Sequence, residues 1–159
     1  MKQALKGISA LLCLILVLTL VTGCKGNSAP SPNEIANEIV KQNNLENLNT
    51  LSGEKLVSYF GFSASDINRF SVKISSKPDL SDTVAVFETK SEESKALVIT
   101  GISTYTDKLS VSMKSLETER NKISTRLLME LDNTVILVIC GNTALTKESL
   151  TEMGAKAVY

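Results

Sequence analysis

Cys13, Cys24 and Cys140 are the only thiols in the 159-residue sequence, and no histidine accompanies them. Catalytic serines and cysteines are ordinarily activated by a neighbouring imidazole, which is also the commonest transition-metal ligand. Serine–histidine and cysteine–histidine triads and histidine zinc sites are therefore excluded by composition alone. Cys140 lies inside "TVILVICGN", a β-rich apolar run where a thiol reads as a small buried hydrophobe rather than a nucleophile. Cys13 sits in the apolar run near the start of the chain. Cys24 has a different setting: that run stops at Gly23-Cys24, and the polar "KGNSAPSP" follows.

The remaining chemistry belongs to carboxylates, lysines and hydroxyls. Asp79, Asp82 and the carbonyls of "KPDLSD" offer oxygen ligands for calcium, but the glycine and terminal bidentate glutamate of a calcium loop are missing. The stretch reads instead as a solvated turn. Glu92-Glu93 are placed to complement the N-terminal dipole of a following helix. Glu117, Glu119, Arg120 and Lys122 read as a solvated helix end. "CGN" and "TGIS" are too short to cradle a phosphate. Tyr59, Phe60 and Phe62 cluster in sequence; the phenylalanines suit a core, and Tyr59 is the candidate for a surface. No catalytic residue, metal ligand or cofactor is assigned.

The opening "MKQALKGISALLCLILVLTLV" has a basic start, Lys2 and Lys6, and an apolar run from about Ile8 to Val21. That run is shorter than the roughly 20 residues of a membrane-spanning helix and suits an export signal. Val21-Thr22-Gly23-Cys24 resembles the lipobox of bacterial lipoproteins. The resemblance implies a diacylglycerol thioether on the Cys24 sulfur and removal of the residues before it. Two acyl chains anchor stably where one does not, at about 0.8 kcal/mol per buried CH2. The alternative is an uncleaved N-terminal anchor with an unmodified Cys24. The expected organisation is a signal peptide over 1–23, lipidated cysteine and flexible tether over 24–32, and one domain over 33–159.

Without the 23-residue signal, 136 of the 159 residues remain, enough for one domain with an ordinary core. Loss of Lys2 and Lys6 takes the basic count from 17 to 15 against 17 acidic residues, a net charge of −2. No basic stripe exists, so nucleic acid is not an expected partner. With Cys24 lipidated, Cys140 has no partner for an intramolecular disulfide.

Ser31-Pro32-Asn33-Glu34 has capping-box spacing with proline at the first helical position. A helix is expected over Pro32–Gln42, burying Ile35, Ile39 and Val40 and ending at Asn43-Asn44. Leu45, Leu48 and Leu51 recur every three residues, as in a helical turn against the core. "SGEKLVSYFGF" predicts a short helix stopped by Gly61. Phe70, Val72 and Ile74 alternate as in a strand, and "TVAVFET" is a second strand beyond the loop "SSKPDLSD". Between Ser91 and Glu119, the residues Val98, Ile102, Tyr105, Leu109, Met113 and Leu116 fall at helical steps. Gly101 and many β-branched residues argue the other way, and the periodicity favours helix. "TRLLMELDNTVILVICGN" predicts a β-hairpin turning at Asp132-Asn133, its second strand buried on both faces. "ALTKESLTEMG" then reads as a closing helix.

Taken in order, "YFGF", "SASDINRFSV", "DTVAVFETKSEE", the long helix and "LDNTVILVICGN" resemble a family of small lipoproteins of Gram-positive bacteria, defined only as a domain of unknown function. The resemblance covers about Leu45 to Met153. It implies an α+β domain in which two hairpin-like pairs bracket a long helix, and it brings no activity, substrate or catalytic residue. The expected fold is a single small α+β domain: an antiparallel sheet of about four strands packed on a long helix, with extra N- and C-terminal helices.

The functional expectation is a lipoprotein on the extracytoplasmic face of the cell membrane. It would act as a non-catalytic interaction module whose partner is an envelope protein or wall component. A cell-surface enzyme using carboxylate chemistry on wall polymers is the alternative, and it needs carboxylates in one cleft with strongly raised pKa values. A small-ligand-binding lipoprotein is a third reading, for which 136 residues are too few to build the usual two lobes.

Overall fold

The computed structural model describes residues 29–158. The expected signal peptide and the lipobox residues Val21, Thr22, Gly23 and Cys24 lie outside the described residues. The chain enters the fold through helix α1 (Pro32–Gln42), which starts as its sequence dictates. Ser31 Oγ accepts the Glu34 N–H at 3.3 Å, and the Glu34 carboxylate accepts the Ser31 N–H at 2.8 Å. Strand β1 (Leu48–Thr50) and a short 3-10 turn lead into helix α2 (Leu56–Phe60), ended by Gly61 at φ 80°. Strands β2 (Ile67–Ser75) and β3 (Thr83–Thr89) form the first hairpin. Helices α3 (Glu92–Ser112) and α4 (Glu117–Ser124) follow. The second hairpin is β4 (Leu127–Leu131) and β5 (Thr134–Ile139). Helix α5 (Ala144–Glu152) and strand β6 (Lys156–Ala157) complete the domain.

All strands pair antiparallel in one sheet of order β1-β2-β3-β5-β4-β6. The hairpins are joined through β3 and β5, with Val86 opposite Ile136. Both central strands are apolar on both faces because both faces are covered. On the front, Ala85, Phe87, Val135, Leu137 and Ile139 meet α2, α3 and α4 through Phe60, Ile102 and Ile123. On the back, Val84, Val86, Ile136 and Val138 meet α1 and α5 through Ile35, Ile39 and Leu150. The result is an α+β domain in three layers.

Three expectations need correction. The sheet has six strands, not about four. The two missed strands are three and two residues long, too short to show a period, and both lie at sheet edges. Leu48, read as part of a helical turn, belongs to β1 and is paired with Ser75, while Leu51 is buried beyond it. The stretch from Ser91 to Glu119 is not one helix. α3 ends with Met113 as its C-cap, and the chain re-enters helix only after Leu116, whose backbone is extended at φ −110° and ψ 91°. Met113 is buried, so the interruption turns the chain back onto the core.

Gly101 stands inside α3 because α2 crosses it there. A Cβ at that position would lie 2.5 Å from the Phe60 carbonyl oxygen and 2.7 Å from the Phe62 ring. The residue that weakened the helical reading is thus the one that lets two helices touch. Phe60 and Phe62 are both buried, as read from sequence, and each meets the Phe87 ring edge-on, with centroids 5.2 and 5.4 Å apart.

Candidate functional site

Two features of the front layer share Tyr105, a polar network and a largely apolar groove. The first is a chain of hydrogen bonds at the end of the sheet where β3 begins. The Tyr105 hydroxyl lies 2.9 Å from Thr83 Oγ1, which donates to the Ser81 carbonyl at 3.0 Å. Ser81 gives both its N–H and its hydroxyl to Glu119 Oε2 at 2.8 Å. Lys122 pairs with Glu119 and with Asp82, each at 3.1 Å. Glu119 is only 6% exposed. The charge run Glu117, Glu119, Arg120 and Lys122 is therefore not a solvated helix end throughout, because Glu119 and Lys122 face inward. One helical turn separates these two and leaves Arg120 outside.

Burial pushes the Glu119 carboxyl up, but the two Ser81 bonds and the Lys122 ammonium outweigh it and hold the group below its ordinary range. Lys122 is likewise drawn down by burial and raised further by Asp82 and Glu119, ending above its ordinary value. Glu93, exposed in the first turn of α3, is lowered by its hydrogen bond with Ser91 and by backbone N–H. A carboxyl serving as a general acid near neutral pH is raised, the direction opposite to Glu119 and Glu93. The "KPDLSD" loop is held by this network: Asp82 is engaged with Lys122, and Asp79 is exposed. Among the described residues no group of acidic, cysteine or histidine side chains is placed to hold a metal ion.

Cys140 follows β5 and is buried against α1, with its thiol 3.3 Å from the Asn142 carbonyl and 3.6 Å from Asn43 Oδ1. Burial pushes its pKa up, which suppresses the thiolate. It is the packed hydrophobe that its sequence context indicated.

The second feature is an open groove of about 320 Å³ between α2 and α3, beyond the Gly101 crossing. Ser58 and Tyr59 form one wall, and Tyr105, Lys108, Leu109 and Ser112 the other. The two tyrosine rings lie 6.3 Å apart, and Tyr105 is backed by Phe60 at 4.7 Å. Burial raises the Tyr105 pKa, while its bond with Thr83 opposes this. Tyr59, the surface candidate from sequence, is half-buried and faces this groove. Lys108 and Ser112 escaped sequence reading, and Leu109 was read only as a step of the apolar stripe, because groove-lining needs α2 as well as α3. The only available signal was the hydroxyl and lysine interleaved with the apolar steps of α3.

The described residues form an α+β domain with a covered six-stranded sheet and a shallow groove on its front layer. The chain matches the family described as a domain of unknown function, DUF4358, over residues 41–140, and belongs to that family. The matched region runs from the end of α1 to Cys140, so it contains the groove and the Glu119 network whole. No curated protein matches the chain, and no solved structure does.

Proposed function

We propose that the protein is a lipid-anchored, extracytoplasmic lipoprotein that works by contact rather than by catalysis. The observation that carries this is the Cys24 junction, an apolar run ending at Val21-Thr22-Gly23-Cys24, close before a helix that begins the fold. Six residues separate Cys24 from the α1 cap at Ser31. At roughly 3.3–3.6 Å per residue they reach about 25 Å, which keeps the domain near the membrane surface. Two acyl chains on Cys24 supply the stable anchoring that one chain lacks. No helix of the described residues is long and apolar enough to cross a membrane. α1 lies in the back layer, and the groove opens on the front layer, across the sheet from the point where the tether enters. The groove thereby stays accessible to a partner in the envelope.

Metabolic labelling with a radiolabelled or alkyne fatty acid, followed by membrane fractionation, tests the reading. Wild type is expected to carry label and to sediment with membranes. Cys24→Ala should carry none and retain its uncleaved leader. Label on the Cys24→Ala protein would refute the lipid attachment.

A further inference from the structure

The groove between α2 and α3 carries an inference that rests on the contact reading above. The other lysine of α3, Lys95, is paired with Glu92 and Glu130, and Lys122 of α4 with Asp82 and Glu119. Lys108 is the sole charged residue lining the groove and makes no ion pair among the described residues. Tyr59, Tyr105 and Leu109 line the groove with it and make the rest of the surface apolar and aromatic, with Tyr105 itself only 7% exposed. Val111, three residues beyond Lys108 in α3 and outside the groove lining, is 70% exposed. In the two walls, Ser58 and Ser112 spend their hydroxyl protons on the Lys55 and Leu109 carbonyls of their own helices, each at 2.8 Å. Their oxygens remain acceptors for an incoming N–H.

This surface is also preformed. Tyr105 is fixed at its hydroxyl by Thr83 and at its ring by Phe60, so a ligand meets a wall that need not be ordered on binding. An unpaired ammonium, an aromatic lining and hydroxyl acceptors complement three features that occur together in a peptide: a carboxylate, an apolar side chain and backbone N–H groups. A lipid headgroup supplies the anion without the regularly spaced amides.

We propose that the groove binds an extended segment of an envelope partner carrying aspartate or glutamate beside an aliphatic or aromatic residue. The carboxylate meets Lys108, the apolar side chain lies on Tyr59, Tyr105 and Leu109, and a backbone N–H reaches Ser58 or Ser112.

The chain contains three tyrosines, Tyr59, Tyr105 and Tyr159, so 3-fluorotyrosine gives three fluorine NMR signals in the full-length protein held in detergent micelles. Blocked pentapeptides pairing leucine or phenylalanine with glutamate serve as the probe, with glutamine and lysine counterparts as controls. The glutamate peptides should shift the Tyr59 and Tyr105 signals saturably. Lys108→Glu, an exposed substitution, should weaken them at least about fivefold, with Lys108→Arg close to wild type. Raising salt should weaken binding as well. Three results overturn the proposal: no shift at millimolar peptide, equal shifts with the glutamine peptides, or shifts reproduced only by anionic phosphatidylglycerol vesicles. Failure here leaves the Cys24 anchor standing, and failure of fatty-acid labelling leaves the peptide result standing.

Discussion

Replacing Gly101 with alanine adds one methyl group where α3 meets the end of α2. In an exposed helix interior this change stabilises by about 1 kcal/mol, because alanine restricts the unfolded chain and favours helix. Here the new Cβ would stand 2.5 Å from the Phe60 carbonyl oxygen and 2.7 and 2.8 Å from two Phe62 ring carbons. Ordinary contact begins near 3.4 Å, so the oxygen must retreat by almost an ångström. It is a backbone atom of α2, and Phe60 and Phe62 are 1% and 2% exposed and packed on Phe87, so neither has a free rotamer to adopt. Overpacking of this kind costs roughly 1–3 kcal/mol and more where backbone must move, which outweighs the propensity gain. The expected net loss is about 1–2 kcal/mol, a fall in Tm of roughly 3–10 °C for a domain of this size. Thermal unfolding of the purified chain by circular dichroism measures it, with Ser103→Ala on the exposed face of α3 as a control expected to be neutral or slightly stabilising. An unchanged or raised Tm for Gly101→Ala would refute the close crossing and return Gly101 to an ordinary helix weakness.

Glu119→Gln removes one charge from the Ser81–Glu119–Lys122–Asp82 network and leaves a partly buried Lys122 with one counter-ion instead of two. A loss of about 1–3 kcal/mol in urea unfolding at pH 7 is expected. Because the folded pKa of Glu119 lies below its ordinary value of 4.5, its contribution is present above that value and disappears as pH falls through the folded pKa. Wild type and variant should therefore converge in acid, and a constant gap down to pH 2 would contradict the assignment. Cys140, buried and with its thiol pKa pushed up, should react with iodoacetamide at pH 8 at least about tenfold more slowly in the native protein than in urea. Peptide-level mass spectrometry reads that residue alone, and equal rates would mean that the back layer opens readily.

Much of the fold was written in local patterns. Ser31 and Glu34 define the start of α1 by side-chain bonds three residues apart, and Gly61 stops α2 with the left-handed backbone that glycine adopts cheaply. "TVAVFET" and "TVILVI" are continuous apolar runs because both sheet faces are covered, and they appear as β3 and β5. Such signals survive in sequence because they act over a turn of helix or a strand. They also placed Cys140 and the two phenylalanines in the core.

Tertiary structure decided the rest, and for a common reason: each feature depends on groups far apart in the chain. β1 is a strand because Ser75 and its neighbours offer an edge, which three residues cannot announce alone. Glu119 is buried because Ser81, 38 residues earlier, presents two donors to it. Gly101 looks like a helix defect until Phe60 is laid across it. The groove exists only where two helices, each unremarkable in sequence, meet at that glycine and part again. The sequence by itself determined the class of domain, its central strands and the residues of the Cys24 junction. The packing of α2 on α3 determined where the groove lies.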